Sequence, residues 1–199
     1  MFSNPFKIVY LVGFIIITVV RKIFTARLRN EKLAVDNKSV LDITLLALNG
    51  IGMIIPLVYV FSTLLDFADY PRPDWVGYLG TVFFLNASWL LYHSHADLNR
   101  NWIPIVGLRP DHKLITTGVY KNIRHPMYSA HMIWAFAQAM ILPNWIAGFS
   151  FLLVLTPHII IRMLVEEKML NEQFSDEYQA YMKRSGRLLP RLRHSSNNQ

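Results

Sequence analysis

The sequence predicts an all-α, polytopic integral membrane protein with about five transmembrane helices, its N-terminus outside and its C-terminus cytoplasmic. Three observations predict it. Five apolar runs approach the roughly 20 residues needed to cross a bilayer as a helix. The basic residues fall almost entirely on one side of those runs. The composition is that of a membrane chain: 53% hydrophobic, 17% charged, with a mean hydropathy of +0.27.

The first run, Phe6–Val20, extends to Phe24 and is followed by Arg21 and Lys22. Only Lys7 precedes its core and no small-residue cleavage site follows. It therefore reads as a retained helix and not as a signal peptide. The second run, Leu41–Leu65, is interrupted by Asn49, Gly50, Gly52 and Pro56. The third is Trp75–Tyr92 or slightly beyond, and the fourth is Met127–Leu142. The fourth is short for a full span, which suits a tilted helix or one packed inside the protein. The fifth, Trp145–Val165, is separated from it only by Pro143 and Asn144, the spacing of a tight helical hairpin. Pro157 removes a backbone donor inside the fifth run, and a kink is expected there. Pro126 fits the first turn of the fourth. Beyond the fifth run, Glu166–Lys183 continues as an amphipathic helix, with Met169, Leu170, Phe174, Tyr178, Tyr181 and Met182 at roughly helical spacing.

Of the 20 Lys and Arg residues, all but Lys7 and Arg72 lie in the segment Arg21–Lys38, between the third and fourth runs, or from Arg162 onward. This is the positive-inside pattern, and it gives the orientation stated above. The same placement explains the net charge of +7 without a nucleic-acid partner. No internal repeat or long linker divides the chain. It reads as one domain over 1–199: three N-terminal helices over 1–96, a catalytic half over 97–191 and a disordered tail over 192–199.

There is no cysteine, hence no disulfide framework and no thiolate nucleophile or ligand. His93 and His95 are two apart, poor spacing for chelation from one helix face, and no metal is assigned. Glycine-rich phosphate loops and the strand–turn–helix pattern of a dinucleotide fold are missing. Groups capable of chemistry concentrate in two cytoplasmic segments beside the fourth–fifth hairpin. One runs from His112 to Tyr120 and on through Arg124-His125-Pro126-Met127-Tyr128. The other is Arg162-x-x-x-Glu166-Glu167. Each has a plainer reading. Arg162 and Glu166, four apart, can form an intrahelical ion pair at the membrane boundary. Tyr120 and Tyr128 can be interfacial aromatics, and His158 a packed core histidine.

The run His112-Lys113-Leu114-Ile115-x-x-Gly118-x-Tyr120-x-x-x-Arg124-His125-Pro126-x-Tyr128 resembles the isoprenylcysteine carboxyl methyltransferase family. So does Glu166-Glu167 followed by Phe174-Ser175-Asp176-Glu177-Tyr178-x-x-Tyr181 and Leu189-Pro190. The resemblance covers about residues 97–191. It implies an S-adenosylmethionine pocket, with S-adenosylhomocysteine as product, lined by His112, Lys113, Leu114, Ile115, Tyr120, His125, Pro126, Met127, Tyr128 and Glu166. It implies a role in substrate handling for Arg162, so that Arg162 and Glu166 are the catalytic candidates. The acceptor it implies is lipophilic or prenylated and reached through the lipid bilayer. Ser175 stands where the family usually has glycine, and Ile115 where valine is usual. The chain is similar to the shorter prokaryotic members, since the eukaryotic ones carry extra N-terminal helices, and the cell membrane is the expected location. Two alternatives stay open from the residues alone. A phospholipid N-methyltransferase would use Glu166 or Glu167 as base, and a non-catalytic transporter or scaffold would need none of these groups.

Overall fold

The computed structural model describes residues 4–26, 35–36, 40–99, 107–108 and 113–191. Five helices carry the fold: α1 (Pro5–Ala26), α2 (Val40–Phe61), α3 (Asp74–Leu98), α4 (Pro126–Ile141) and α5 (Trp145–Arg184). Two two-residue strands, β1 (Val35–Asp36) and β2 (Gly107–Leu108), pair antiparallel. Among the described residues α1, α5 and the Ile43–Phe61 stretch of α2 are long and apolar enough to cross a membrane.

On α1 a single stripe is buried, formed by Phe6, Tyr10, Gly13, Ile17 and Phe24. Ile8, Val12, Ile15, Val19 and Ile23 stay exposed on the remaining surface, which suits helix contact on one side and lipid on the other. Close approach to α3 depends on Gly13, because a Cβ there would meet the Phe84 ring at 2.3 Å. Gly80 plays the same part between α3 and α4, where a Cβ would sit 2.7 Å from the Met140 Cβ.

α4 is the central helix, packed by α3, α5 and α1. Its 16 residues reach only about 24 Å at the helical rise. Nine of them are buried, so the short fourth run is packed inside the protein, as its length suggested. Trp134 fills the centre, with its ring 5.9 Å from Phe84 and 4.8 Å from Phe151. The α4–α5 hairpin closes on Asn144. Its side chain caps α5 by accepting from the backbone N–H groups of Ile146 and Ala147, and its amide donates to the Leu65 carbonyl at 2.6 Å and to Asp69 at 2.7 Å.

The contacts fix the up–down order of the helices. The start of α1 meets the end of α2 through Lys7 and Tyr59, while the end of α1 meets the start of α4 through Arg21 and His131. α5 runs for 40 residues with a break at Ser175, and its last turns pack Tyr178 and Tyr181 over the segment before α4. Residues around Pro157 keep helical dihedral angles. The one residue of α5 with non-helical angles is Ser175, at φ 43° and ψ −114°.

Candidate active site

The site lies where the segment before α4 meets the middle of α5. The 113–116 stretch is neither helix nor strand, Thr117 is extended, and Gly118 then turns the chain with φ +57°, a conformation that favours glycine. The turn is anchored from α3, where Asp97 Oδ2 accepts from the Val119 N–H at 2.8 Å. A Cβ on Gly118 would lie 2.0 Å from that oxygen, so glycine is required by space as well as by φ. A 3-10 turn, Gly118–Lys121, follows and buries Tyr120. The Tyr120 hydroxyl donates to the Ser94 carbonyl at 3.3 Å, and its own carbonyl accepts from Tyr181 at 2.5 Å. Burial, reinforced by the Glu166 charge, pushes the Tyr120 phenol far above its ordinary pKa. Tyr120 is therefore a neutral donor, not a base.

The segment after α5 folds back along 122–125 and holds it in place. Arg124 N–H donates to the Gly186 carbonyl at 2.8 Å, His125 N–H to the Arg187 carbonyl at 3.0 Å, and Gly186 N–H to the Asn122 carbonyl at 2.9 Å. Pro126 then starts α4 at a position where its missing N–H costs nothing.

Two neighbouring glutamates of α5 point into different surroundings. Glu166 is partly open. One of its oxygens accepts from the Tyr128 hydroxyl at 2.5 Å and from Arg162 Nε at 3.2 Å, and the other lies 3.7 Å from His125 Nδ1. The His125 ring stacks on Tyr128, with centroids 5.5 Å apart and planes at 23°. Glu167 is buried. It accepts from Arg124 Nε at 3.1 Å and Arg187 Nη2 at 2.8 Å, with His125 Nε2 at 3.4 Å. Arg124 also donates to the carbonyls of Ser185 and Met182. Glu167 thus ties α5, the segment before α4 and the returning segment after α5 into one unit. Glu166 is left presenting a carboxylate edge beside an aromatic stack.

Of the residues singled out in the sequence, the structure brings His125, Tyr128, Arg162 and Glu166 together. Tyr120 is close to them but buried. Pro126 is buried at the start of α4, and Met127 is half-buried, its carbonyl facing His131. Lys113 is exposed, with Leu114 and Ile115 half-buried after it. His112 lies outside the described residues. His158 is buried and hydrogen-bonded to Asn49 of α2, in keeping with a packed histidine. His93 lies against Trp89, whereas His95 is buried and meets the Leu91 carbonyl. Sequence reasoning missed Asp97, Glu167 as an anchor distinct from Glu166, Arg187 and Arg21. The available signals were the charge of Asp97 at the end of an apolar run and the position of Arg21 within the extended first run.

The fold and this cluster define an integral membrane protein whose reactive groups gather at one end of its helix bundle. The model of the isoprenylcysteine carboxyl methyltransferase (ICMT) family matches residues 79–172, from α3 through the Arg162–Glu167 stretch of α5. That stretch is just under half of the chain, and it holds the His112–Tyr128 and Glu166-Glu167 motifs. It is 26% identical over 137 residues to protein-S-isoprenylcysteine O-methyltransferase B of Arabidopsis thaliana, covering 68% of this chain and 70% of the relative. It is 32% identical over 117 residues to a probable protein-S-isoprenylcysteine O-methyltransferase of Oryza sativa subsp. indica, covering 58% and 61%. It is 35% identical over 127 residues to methanethiol S-methyltransferase of Pseudomonas deceptionensis, covering 61% of this chain and 46% of the relative.

Proposed function

We propose that this protein is an S-adenosylmethionine-dependent methyltransferase acting on the carboxylate of a lipophilic, isoprenylcysteine-like acceptor, with its site on the cytoplasmic side of the cell membrane. The observation that carries the reading is Glu166, a partly open carboxylate held by Tyr128 and Arg162 beside the His125–Tyr128 stack. The donor set suits the cofactor. A carboxylate accepts from hydroxyl and amino groups, and an imidazole–phenol stack offers a flat, polarisable face to a ring or a sulfonium. His112, Lys113, Leu114, Ile115, Tyr120, Pro126 and Met127 complete the pocket wall in this reading.

Bound S-adenosylmethionine supplies an electrophilic methyl group. The protein's task is then positioning. A carboxylate acceptor is already ionised at neutral pH, so no strong base is needed. It needs alignment to about 3–3.5 Å from the methyl carbon and the exclusion of water. Arg162 is placed to orient it through a forked guanidinium. Glu166 shares that guanidinium, which tempers its grip and avoids over-stabilising the ground state of the nucleophile. The excess of basic residues on the site side supports the cytoplasmic placement.

Purified protein in detergent is expected to bind S-adenosylhomocysteine by calorimetry and to transfer label to a prenylcysteine analogue. Label appearing only in phosphatidylethanolamine, or only in a small thiol, would replace the acceptor. No binding of S-adenosylhomocysteine would overturn the methyltransferase reading. Glu166→Ala is expected to weaken S-adenosylhomocysteine binding by about tenfold or more, through loss of a charged acceptor. Arg162→Ala is expected to cost roughly 100-fold in turnover, the scale for one transition-state donor, with a smaller loss of cofactor affinity. Equal loss of cofactor binding in both variants would contradict that division.

A further inference from the structure

Arg21 lies in α1, outside both segments that carry the proposed chemistry, and its side chain turns inward towards the site end of the bundle. Nη1 is 3.3 Å from His131 Nε2 on α4. The other ring nitrogen, Nδ1, is 2.7 Å from the Met127 carbonyl. A carbonyl only accepts, so Nδ1 carries the proton. Nε2 then offers its lone pair to the guanidinium, which only donates. His131 is therefore a neutral ring that orients Arg21 and leaves its charge uncompensated. Among the described residues none of the carboxylate ion pairs includes Arg21. Tyr128, next to Met127 in the chain, donates to Glu166, which accepts from Arg162, so Arg21 and Arg162 face the same end of the bundle with like charges that oppose each other.

A guanidinium turned into a helical membrane bundle without a counter-ion is costly. Such residues are found where they pair or where they serve a ligand. The arrangement has two arginines from two helices, one carboxylate engaged by the second of them, and a fixed imidazole acceptor behind the first. Among the described residues it lacks one negative charge. An entering carboxylate would compensate Arg21 and relieve its repulsion with Arg162.

We propose that Arg21, oriented by His131, forms with Arg162 a two-arginine site for the carboxylate of the methyl acceptor. The assignment rests on the methyltransferase reading and deepens it. Arg21 selects for a negatively charged acceptor head, His131 is its positioning residue, and α1 becomes part of the binding machinery although it lies outside the region matched to the family. Such a clamp disfavours neutral and cationic acceptors, whose heads would leave the Arg21 charge uncompensated.

The experiment uses the full chain in detergent and two ligands, an S-prenylcysteine acid and its carboxamide, with S-adenosylhomocysteine as a third. The wild type is expected to bind the acid at least ~10-fold more tightly than the amide, the scale for a hydrogen-bonded charge pair. Arg21→Gln is expected to bring that ratio close to one and to raise KM for the acid by ~10-fold or more, while S-adenosylhomocysteine binding stays within about twofold. Arg21→Lys keeps the charge but loses the fork. A KM for the acid raised by roughly three- to tenfold, with unchanged S-adenosylhomocysteine binding, is expected. If Arg21→Gln does not fold, the lysine variant decides alone. An acid-to-amide ratio unchanged from wild type in the variants overturns the proposal. Loss of S-adenosylhomocysteine affinity in place of acid affinity also overturns it, because the site would then belong to the cofactor's own carboxylate. Absence of S-adenosylhomocysteine binding by the wild type is a different failure, that of the methyltransferase reading itself.

Discussion

The two ends of the helix bundle treat positive charge in opposite ways. At the end away from the site, Lys7 donates to the Tyr59 carbonyl at 3.0 Å and lies 4.0 Å above the Tyr59 ring. Arg72 donates to the Ile141 carbonyl at 3.1 Å and lies 4.4 Å above the Phe6 ring. Both cations satisfy helix-end carbonyls and aromatic faces, which suits a basic residue near a helix C-terminus. At the site end, Arg124, Arg162 and Arg187 converge on Glu166 and Glu167, and Arg21 stands behind them against an imidazole. The far end is stitched by cations that need no carboxylate. The site end is a balance of charges in which removing either carboxylate leaves an arginine without its ion-pair partner.

The largest stability effect should come from breaking that balance at its buried member. Glu167→Ala strands Arg124, whose side chain is 8% exposed, and is expected to cost about 3–5 kcal/mol, the scale for removing one partner of a buried pair. Because Arg124 keeps its carbonyl partners, the loss should fall near the lower value. Arg187 is half exposed and adds little. At the other end, Lys7→Met is expected to cost about 1 kcal/mol or less, the value of one ordinary hydrogen bond. Denaturant unfolding in mixed micelles measures both. Similar losses at the two ends would erase the distinction between them.

The next effect probes how the site end is built. Gly118→Ala must displace Asp97 and strain a positive φ, and is expected to cost about 1–3 kcal/mol. S-adenosylhomocysteine binding should weaken with it, since the turn leads into His125 and Tyr128. A stable variant with unchanged affinity would show that the turn and the pocket are independent.

The helices were legible because their cause is local. Apolar runs, the two-residue spacing at Pro143 and Asn144, and Pro126 at a first turn need no knowledge of the rest of the chain. The gathering of His125, Tyr128, Arg162 and Glu166 was legible because the motif segments flank one short hairpin. What was not legible depends on long-range packing. Arg21 meets a histidine 110 positions later, and Asp97 meets a turn 22 positions later. Nothing in the pattern of either segment announces its partner. Glu166 and Glu167 look alike as a pair of letters. Successive helical residues point about 100° apart, and that rotation alone sends one to the pocket and the other to Arg124. The kink expected at Pro157 leaves the dihedral angles around it helical, and the break in those angles falls at Ser175, which the sequence pattern does not mark. Pro157 sits on the exposed face of α5, where a ring in place of an N–H leaves the packing undisturbed, whereas a chain that must bring Tyr178 and Tyr181 over 120–125 has to turn.

That turn yields the smallest and most local test. Ser175 sits at φ 43° and ψ −114°, a region that glycine enters without the steric penalty of a Cβ. It is exposed, so its replacement removes no packing. Glycine is also the residue that the family resemblance expects there. Ser175→Gly relieves folded-state strain of about 1–3 kcal/mol and gives back up to about 1 kcal/mol through greater freedom of the unfolded chain. The expected net is a gain of about 0.5–1 kcal/mol, read as a higher unfolding midpoint in micelles, with Ser175→Ala showing none. A gain confined to stability would mark Ser175 as strain carried by the strap that Tyr181 ties to the Tyr120 carbonyl. A gain accompanied by weaker S-adenosylhomocysteine binding would mean that a stiff turn at Ser175 is needed to hold the site end closed, extending the charge-balanced region one helical segment beyond Glu167.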